Sequence, residues 1–127
     1  MKSMIIIHVL LALLALSCNL VGTKSQISQL IPGTYIRFSH HEFGTEYDTI
    51  VITLQNQIAN EYRIIRKWKY ERMRDGVLLE PEYKRQTTSA IFNLTTAVLQ
   101  DSESGDTYTF DTNGKTLFNG TIKYQKL

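Results

Sequence analysis

The feature that most constrains this chain is a repeated alternation of apolar and polar residues with a period of two. The segment from Tyr47 to Leu54 places its aliphatic residues largely on one face and its threonines on the other. The segment from Thr34 to Ser39 repeats the pattern, with Ile36 and Phe38 on one face. Successive side chains of a β-strand point to opposite faces, so this pattern is typical of half-buried strands.

Turn signals separate these segments along the chain. Asp75-Gly76, Asn113-Gly114 and Asn119-Gly120 are dipeptides that tolerate the positive φ angles of a type I′ hairpin turn. Glu80-Pro81 indicates a loop, because proline cannot donate a hydrogen bond within a central strand. The sequence therefore predicts an all-β fold, an antiparallel meander of seven to eight strands that forms a small closed or partly open barrel.

The segment from Asn60 to Arg74 fits two structures. As a strand, it places its tyrosines, Ile64 and Trp68 on one face and charged residues on the other. As a helix, its apolar residues recur at spacings of three and four, beginning at Ile58. Aromatic and β-branched residues favour strands, and the Asp75-Gly76 turn signal follows directly, so we favour a long strand.

The first 18 residues form a segment of a different kind. Lys2 precedes an apolar run from Ile5 to Leu16 that only His8 interrupts. Its length matches the core of a secretory signal peptide, about 7–15 residues, and falls short of the roughly 20 that a membrane-spanning helix needs. The segment is therefore predicted to be an export signal.

The only cysteine, Cys18, stands at the end of this signal. The preceding residues, Ala15-Leu16-Ser17, make the site resemble the lipobox of bacterial lipoproteins, in the looser form found in Bacteroidetes. The resemblance implies that Cys18 carries a lipid and becomes the mature N-terminus. The alternative is an ordinary secretory signal with an incidental thiol at Cys18. A lone thiol in an exported chain is an unprotected reactive group, so we favour lipid attachment.

The expected organisation is a signal peptide over residues 1–17, a lipid-anchored polar tether over residues 18–31 and a single β domain over residues 32–127. The predicted location is the bacterial cell envelope, on the outer membrane facing the periplasm. Residues 19–24 contain no acidic residue of the kind associated with surface export in Bacteroidetes lipoproteins. The nearly balanced charge, +2 overall, gives no reason to expect nucleic acid as a partner.

Catalytic and metal-binding patterns are weak in this sequence. Its carboxylates are scattered mostly in predicted turns, and it contains no G-x-S-x-G or H-E-x-x-H motif. Metal-ligand residue types cluster only around His40 and His41, with Glu42, Glu46 and Asp48 nearby, and adjacent strand residues point to opposite faces. We therefore expect no enzyme, no metal site and no cofactor.

Arg66 interrupts the apolar face of its predicted strand. One interpretation is a bulge at Arg66-Lys67, or a place at the barrel rim with the alkyl part of the side chain packed. The other is an inward arginine that pairs with a carboxylate ligand, flanked by Trp68 and Tyr70, in a barrel with room for one small ligand. The sequence leaves both interpretations open.

The opposite face of the same segment carries a basic stripe formed by Arg63, Lys67 and Lys69. Such a stripe is typical of a solvated face, here lightly paired with Glu61 and Glu71. The alternative is a docking surface for a partner subunit, peptidoglycan or anionic headgroups.

Several segments make the mature chain similar to a known family. Pro32-Gly33-Thr34-Tyr35, the run from Tyr47 to Ile52, Arg74-Asp75-Gly76 and the closing Tyr124-Gln125-Lys126 resemble short Bacteroidetes lipoproteins that are often encoded with conjugative transposons. The resemblance implies an extracytoplasmic lipoprotein, accessory to a conjugation apparatus, and transfers no active site. The opening Gly33-Thr34-Tyr35 is also similar to the first strand of lipocalin-like domains, although their tryptophan is absent.

Two functions follow as expectations. The first is a membrane-anchored binding or scaffolding module that acts through other envelope proteins. The second is a lipocalin-like carrier of a small hydrophobic or carboxylate ligand, using the interior near Arg66, Trp68 and Tyr70. A filled barrel interior would argue against the carrier, and an open apolar cavity would favour it.

Overall fold

The computed structural model of the protein describes residues 26–127. A helical turn over residues 26–30 precedes nine strands. In chain order these are β1 (Gly33–His41), β2 (Gly44–Asn56), β3 (Glu61–Arg74), β4 (Val77–Leu78), β5 (Glu82–Asn93), β6 (Val98–Asp101), β7 (Thr107–Phe110), β8 (Thr116–Asn119) and β9 (Ile122–Lys126). The predicted signal peptide, Cys18 and the first part of the predicted tether lie outside the described residues.

Eight of these strands form a closed antiparallel barrel. β1 pairs with β2 on one side and with β9 on the other, which closes the ring. β3 pairs directly with β5, and the two-residue β4 is attached only to the end of β3. The predicted all-β meander is therefore confirmed, and the barrel is closed.

Residues 61–74 form the long strand β3, so the helix is not adopted there. The register between β2 and β3 runs without interruption from Gly44–Arg72 to Leu54–Tyr62, which leaves no bulge at Arg66. Asp75 and Gly76 both have positive φ, as a type I′ turn requires. The turn after β8 differs from the prediction, because Gly120 and Thr121 occupy its centre and only Gly120 has positive φ.

The barrel wall has two heights. Strands β1, β2, β3 and β5 contain 9, 13, 14 and 12 residues, whereas β6 to β9 contain four or five. A strand rises about 3.3 Å per residue, so the long strands continue well past the end of the short ones. One end of the barrel therefore carries a wall on one side only.

Buried side chains fill the interior of the barrel. They form one hydrophobic core, consisting of Ile31, Tyr35, Ile50, Ile52, Tyr62, Ile64, Ala90, Phe92, Leu99, Tyr108, Leu117 and Tyr124. The face of β1 that carries Ile36 and Phe38 is the outer one, and Phe38 is 62% exposed. Tyr35, on the opposite face, takes the interior position and reaches further into the core than an aliphatic side chain can.

The helical turn closes the other end of the barrel. The hydroxyl of Tyr35 donates to the carbonyl of Ile31 (2.7 Å), and that of Tyr62 donates to the carbonyl of Ser28 (3.0 Å). Lys126 Nζ donates to the carbonyl of Leu30 (2.7 Å). Residues 26–31, the last part of the predicted tether, thus pack against the barrel. Among the described residues, no helix has the length and apolar character needed to cross a membrane.

Candidate functional site at the open end of the barrel

The end of the barrel opposite the helical turn is open on one side. There, residues 37–41 of β1, 44–49 of β2, 66–74 of β3 and 82–88 of β5 extend above the turns that join the short strands. We call this extension the upper wall. Its inner face continues the inner face of the barrel, because the register of the long strands is unbroken up to Gly44.

An ion pair marks the boundary between the filled interior and the upper wall. Arg66 Nε donates to Asp48 Oδ1 (3.1 Å), and Arg66 Nη2 donates to Asp48 Oδ2 (2.6 Å). The hydroxyl of Tyr124 donates to Asp48 Oδ2 (2.7 Å) and accepts a bond from Arg66 Nη2 (3.2 Å). Asp48 is 3% exposed, and the Arg66 side chain is 32% exposed. The guanidinium therefore covers the buried carboxylate, and on its other edge Nη1 lies 3.9 Å from Asp106 Oδ2 in a second, looser ion pair.

The electrostatics of this cluster keep Arg66 charged and Tyr124 neutral. The hydrogen bond to Asp48 raises the pKa of Arg66, against the opposing effect of burial. Burial, followed by the hydrogen bond to Asp48, raises the pKa of Tyr124 to about 12. Tyr124 is therefore a neutral donor to Asp48 at physiological pH, and Arg66 is fully charged.

The three residues predicted to line a ligand interior are brought together on the inner face of β3. Arg66 lies at the floor of the upper wall, and Trp68 and Tyr70 follow above it with their rings stacked at a centroid distance of 5.5 Å. Arg66 has its carboxylate partner within the chain, in Asp48. The aromatic rings thus belong to the open end and not to the filled interior.

A groove of about 620 Å³ opens beside Trp68. Its lining residues are Arg66, Trp68, Lys84, Arg85 and Gln86, and we call it the basic groove. Lys84 Nζ lies 5.4 Å from the centroid of the Trp68 ring, a cation–π distance. The volume falls within the range of about 300–1,000 Å³ that is typical of ligand sites. Its chemistry suits an anionic group placed next to an apolar or planar surface.

The basic stripe is divided by the structure. Arg63, Lys67 and Lys69 share the outer face of β3, but Arg63 lies lower on the barrel, opposite Thr53. Lys69 forms an ion pair with Glu71 (2.6 Å), which raises the pKa of Lys69. A second groove of about 550 Å³, which we call the outer groove, is lined by Tyr47, Thr49, Lys67, Trp68, Lys69, Tyr83, Lys84 and Arg85. Arg63 is not among these lining residues.

A second buried carboxylate shapes the rim. Asp101 is 3% exposed and accepts a hydrogen bond from the hydroxyl of Thr88. Its Oδ1 also accepts bonds of 2.9 Å from the backbone N–H groups of Glu103 and Ser104. Burial alone would raise the pKa of Asp101, but these hydrogen bonds outweigh it and the pKa lies below its ordinary value. Asp101 thereby holds the turn that precedes β7.

The histidines of the β1–β2 hairpin are separated. His40 Nδ1 is hydrogen-bonded to Thr45 Oγ1 (2.8 Å), whereas His41 lies on the opposite face near the ring of Tyr70. Across residues 26–127, no three histidine, cysteine, aspartate or glutamate side chains converge as metal ligands.

Sequence reasoning missed the pairing of Asp48 with Arg66, and it did not single out Lys84 or Arg85. A signal for Asp48 was present, because it has the same parity as Ile50 and interrupts the apolar face of β2 just as Arg66 interrupts that of β3. Two opposite charges on the inner faces of neighbouring strands predict an ion pair. Lys84 and Arg85 had no comparable signal, since their importance depends on where β6 stops pairing with β5.

Comparison with known proteins adds no relative. No family model, curated protein or solved structure matches this chain. The arrangement of side chains at the open end is therefore the basis for a functional proposal.

Proposed function

We propose that the chain is a membrane-anchored binding module of the bacterial envelope that holds an acidic partner at the open end of its barrel. The observation that carries this proposal is the basic groove, where Trp68, Lys84 and Arg85 are grouped above the Arg66–Asp48 pair. The Coulomb attraction of such a site favours anions, and the half-buried Trp68 ring contributes contact area.

The filled interior favours a binding module over a carrier of a hydrophobic ligand. Tyr35, Tyr108 and Tyr124 occupy the space that a lipocalin-like ligand would need. A small carboxylate ligand remains a second candidate, because the volume of the basic groove suits one and Lys84 lies in its lining. Titration of Trp68 fluorescence with poly-L-glutamate and, separately, with glutarate distinguishes a polymer or protein partner from a small dicarboxylate.

The anchor is part of the proposal. The described chain begins at the capped end of the barrel, so a tether attached there leaves the open end accessible to envelope partners. The resemblance to lipoproteins encoded with conjugative transposons suggests a component of a transfer apparatus as that partner. Metabolic labelling with a palmitate analogue tests the anchor: label on the natural chain and none on Cys18→Ala supports it, and equal labelling contradicts it.

Trp68 allows a direct test of binding, because it is the only tryptophan in the chain. We expect poly-L-glutamate to change the fluorescence of Trp68 in a saturable manner, and poly-L-lysine to leave it unchanged. The double variant Lys84→Gln/Arg85→Gln should weaken binding about tenfold, or roughly 1.4 kcal/mol.

A matched control separates a local site from general charge. Lys115→Gln/Lys123→Gln removes the same number of charges from exposed positions away from the groove. It should leave the affinity within about twofold of the natural chain. Equal loss in both double variants, or no response to poly-L-glutamate, would contradict an acidic-partner site at the open end.

A further inference from the structure

Strand β5 has an unpaired edge along the upper wall. Residues Glu82 to Ile91 pair with β3 on one side. On the other side, β6 pairs only with Ala90 to Asn93. Among the described strands, none covers this second side over residues 82–87, and all six of these residues are exposed. The barrel is closed at its middle and carries a free strand edge at its open end.

The backbone groups on this edge can be assigned. In an antiparallel ladder, alternate residues turn both their N–H and C=O groups to the same neighbour. Phe92 N–H donates to the carbonyl of Asn60, the residue directly before β3, so even-numbered residues of β5 bond to β3. The carbonyl of Ser89 accepts from Ser102 N–H on the other side. Tyr83, Arg85 and Thr87 therefore present unpaired N–H and C=O groups on the free edge.

We propose that an extended acidic segment of a partner protein binds here as an additional strand, paired with residues 82–87 of β5. This inference rests on the proposed function and names the manner in which the acidic partner binds. Main-chain hydrogen bonds to a free edge supply affinity, and side-chain sites on the two faces supply specificity. The alternate side chains of an added strand point to opposite faces, so they reach the basic groove and the outer groove together.

Positive charge on both faces of the free β5 edge favours an acidic partner. Lys84 and Arg85 line both grooves, and Lys67 lines the outer groove. The acidic residues closest to these basic groups already have partners, since Glu82 is paired with Arg72 at 3.0 Å, Glu71 with Lys69 and Asp106 with Arg66 at 3.9 Å. An added strand rich in glutamate or aspartate on both faces is therefore complementary to this edge.

The same charges disfavour a second copy of the chain as the added strand. Pairing of two β5 edges would bring Lys84 and Arg85 of both copies close together, and like charges directly opposite each other are destabilising. Lysine on an edge strand is a common means of preventing self-association. The basic residues on this edge therefore disfavour pairing between two copies of the chain and favour pairing with an acidic strand.

The test uses the full chain purified in detergent and a peptide of about eight residues that alternates threonine and glutamate, which matches the edge in length. The controls are the same peptide with every backbone nitrogen methylated and a peptide that alternates threonine and lysine. Trp68 fluorescence measures affinity, and amide hydrogen exchange measures protection of Tyr83, Arg85 and Thr87. We expect the glutamate peptide to bind, at least tenfold weaker binding by both controls, and protection of these three amides.

The outcomes separate the manner of binding from the proposed function. Equal binding of the methylated peptide without amide protection would overturn strand addition and leave an acidic-partner site standing. Equal binding of the lysine peptide would overturn the selection by charge. Failure of both the glutamate peptide and poly-L-glutamate would overturn the inference and the proposed function together.

One substitution tests the edge on the protein side. Thr87→Pro removes an N–H group that faces the free edge, and edge strands tolerate proline at such positions. It should weaken binding of the glutamate peptide about tenfold, whereas Thr87→Val, which keeps the N–H, should not. Unchanged binding by a folded Thr87→Pro variant would count against strand addition, and the peptide comparison decides the question if that variant does not fold.

Discussion

Arg66 and Asp48 form a two-bond ion pair on a diagonal between β3 and β2. Arg66 lies opposite Ile50 in the register, and Asp48 lies opposite Trp68, one step further up the wall. The pair joins the top of the filled core to the floor of the basic groove, with the hydroxyl of Tyr124 completing the coordination of the carboxylate. The floor of the open end is therefore formed by the buried carboxylate of Asp48 and the partly exposed guanidinium of Arg66.

Removal of the cation should be costly. Arg66→Met leaves Asp48 buried with Tyr124 as its remaining side-chain donor, and we expect the free energy of unfolding to fall by about 2–4 kcal/mol. Urea unfolding followed by Trp68 fluorescence measures this change. Removal of both charges in Asp48→Leu/Arg66→Met should be less destabilising than the two single changes added together. Simple additivity would show that the pair is not coupled.

Tyr124 should contribute to stability in a way that depends on alkaline pH. Its folded-state pKa of about 12 lies above its ordinary value of 10.0, so its contribution is fully present below about pH 10 and is lost as the pH rises towards 12. Tyr124→Phe should lose about 1 kcal/mol at pH 8. The stability of Tyr124→Phe should also decline less steeply than that of the natural chain between pH 10 and 12, because the variant has one buried tyrosine fewer to titrate. Some decline should remain, because the other buried tyrosines still titrate.

The exposed Tyr83 provides the matched control for this hydroxyl. Tyr83→Phe removes the same group from a side chain that is largely solvated, so its unfolding free energy should follow that of the natural chain at every pH. Identical alkaline profiles for Tyr124→Phe and the natural chain would show that burial and the bond to Asp48 do not raise the pKa of Tyr124.

Asp101 should contribute to stability in the opposite pH range. Its folded-state pKa lies below the ordinary value of 3.8, so its contribution is present above about pH 4 and is lost as the pH falls further. Asp101→Asn should cost about 1–3 kcal/mol at pH 7, because the hydrogen bonds to Thr88 and to the backbone weaken. Urea unfolding at pH 7 and pH 3 should show this difference shrinking in acid, whereas Asp75→Asn, in an exposed turn, should be neutral at both.

Ile31 should anchor the helical turn to the barrel. The side chain is fully buried, so Ile31→Ala should lower the free energy of unfolding by about 2–4 kcal/mol. Gln29→Ala, on the exposed side of the same turn, should change it by less than about 0.5 kcal/mol. Thermal unfolding of both variants is the measurement, and a similar melting temperature for the two would mean that residues 26–31 do not belong to the folded unit.

The open end could be predicted only in part. The parity of β3 correctly places Arg66, Trp68 and Tyr70 on one face, because parity is a local property of a strand. The hydrogen bond from Tyr124 to Asp48 could not be derived from a local pattern, since the two residues lie 76 positions apart in the chain. The grouping of Lys84 with Trp68 depends on the register between β3 and β5 in the same way.

The amino-acid sequence by itself determined the long strands and most of the turns between them, because periodicity and turn chemistry act over a few residues. The tertiary structure decided which face of β1 points inward: Tyr35 fills the core while Phe38 lies on the outside. It also decided where the short strands end, and hence that residues 82–87 of β5 have a free edge. These properties depend on which distant segments meet when the barrel closes, and no local pattern encodes that meeting.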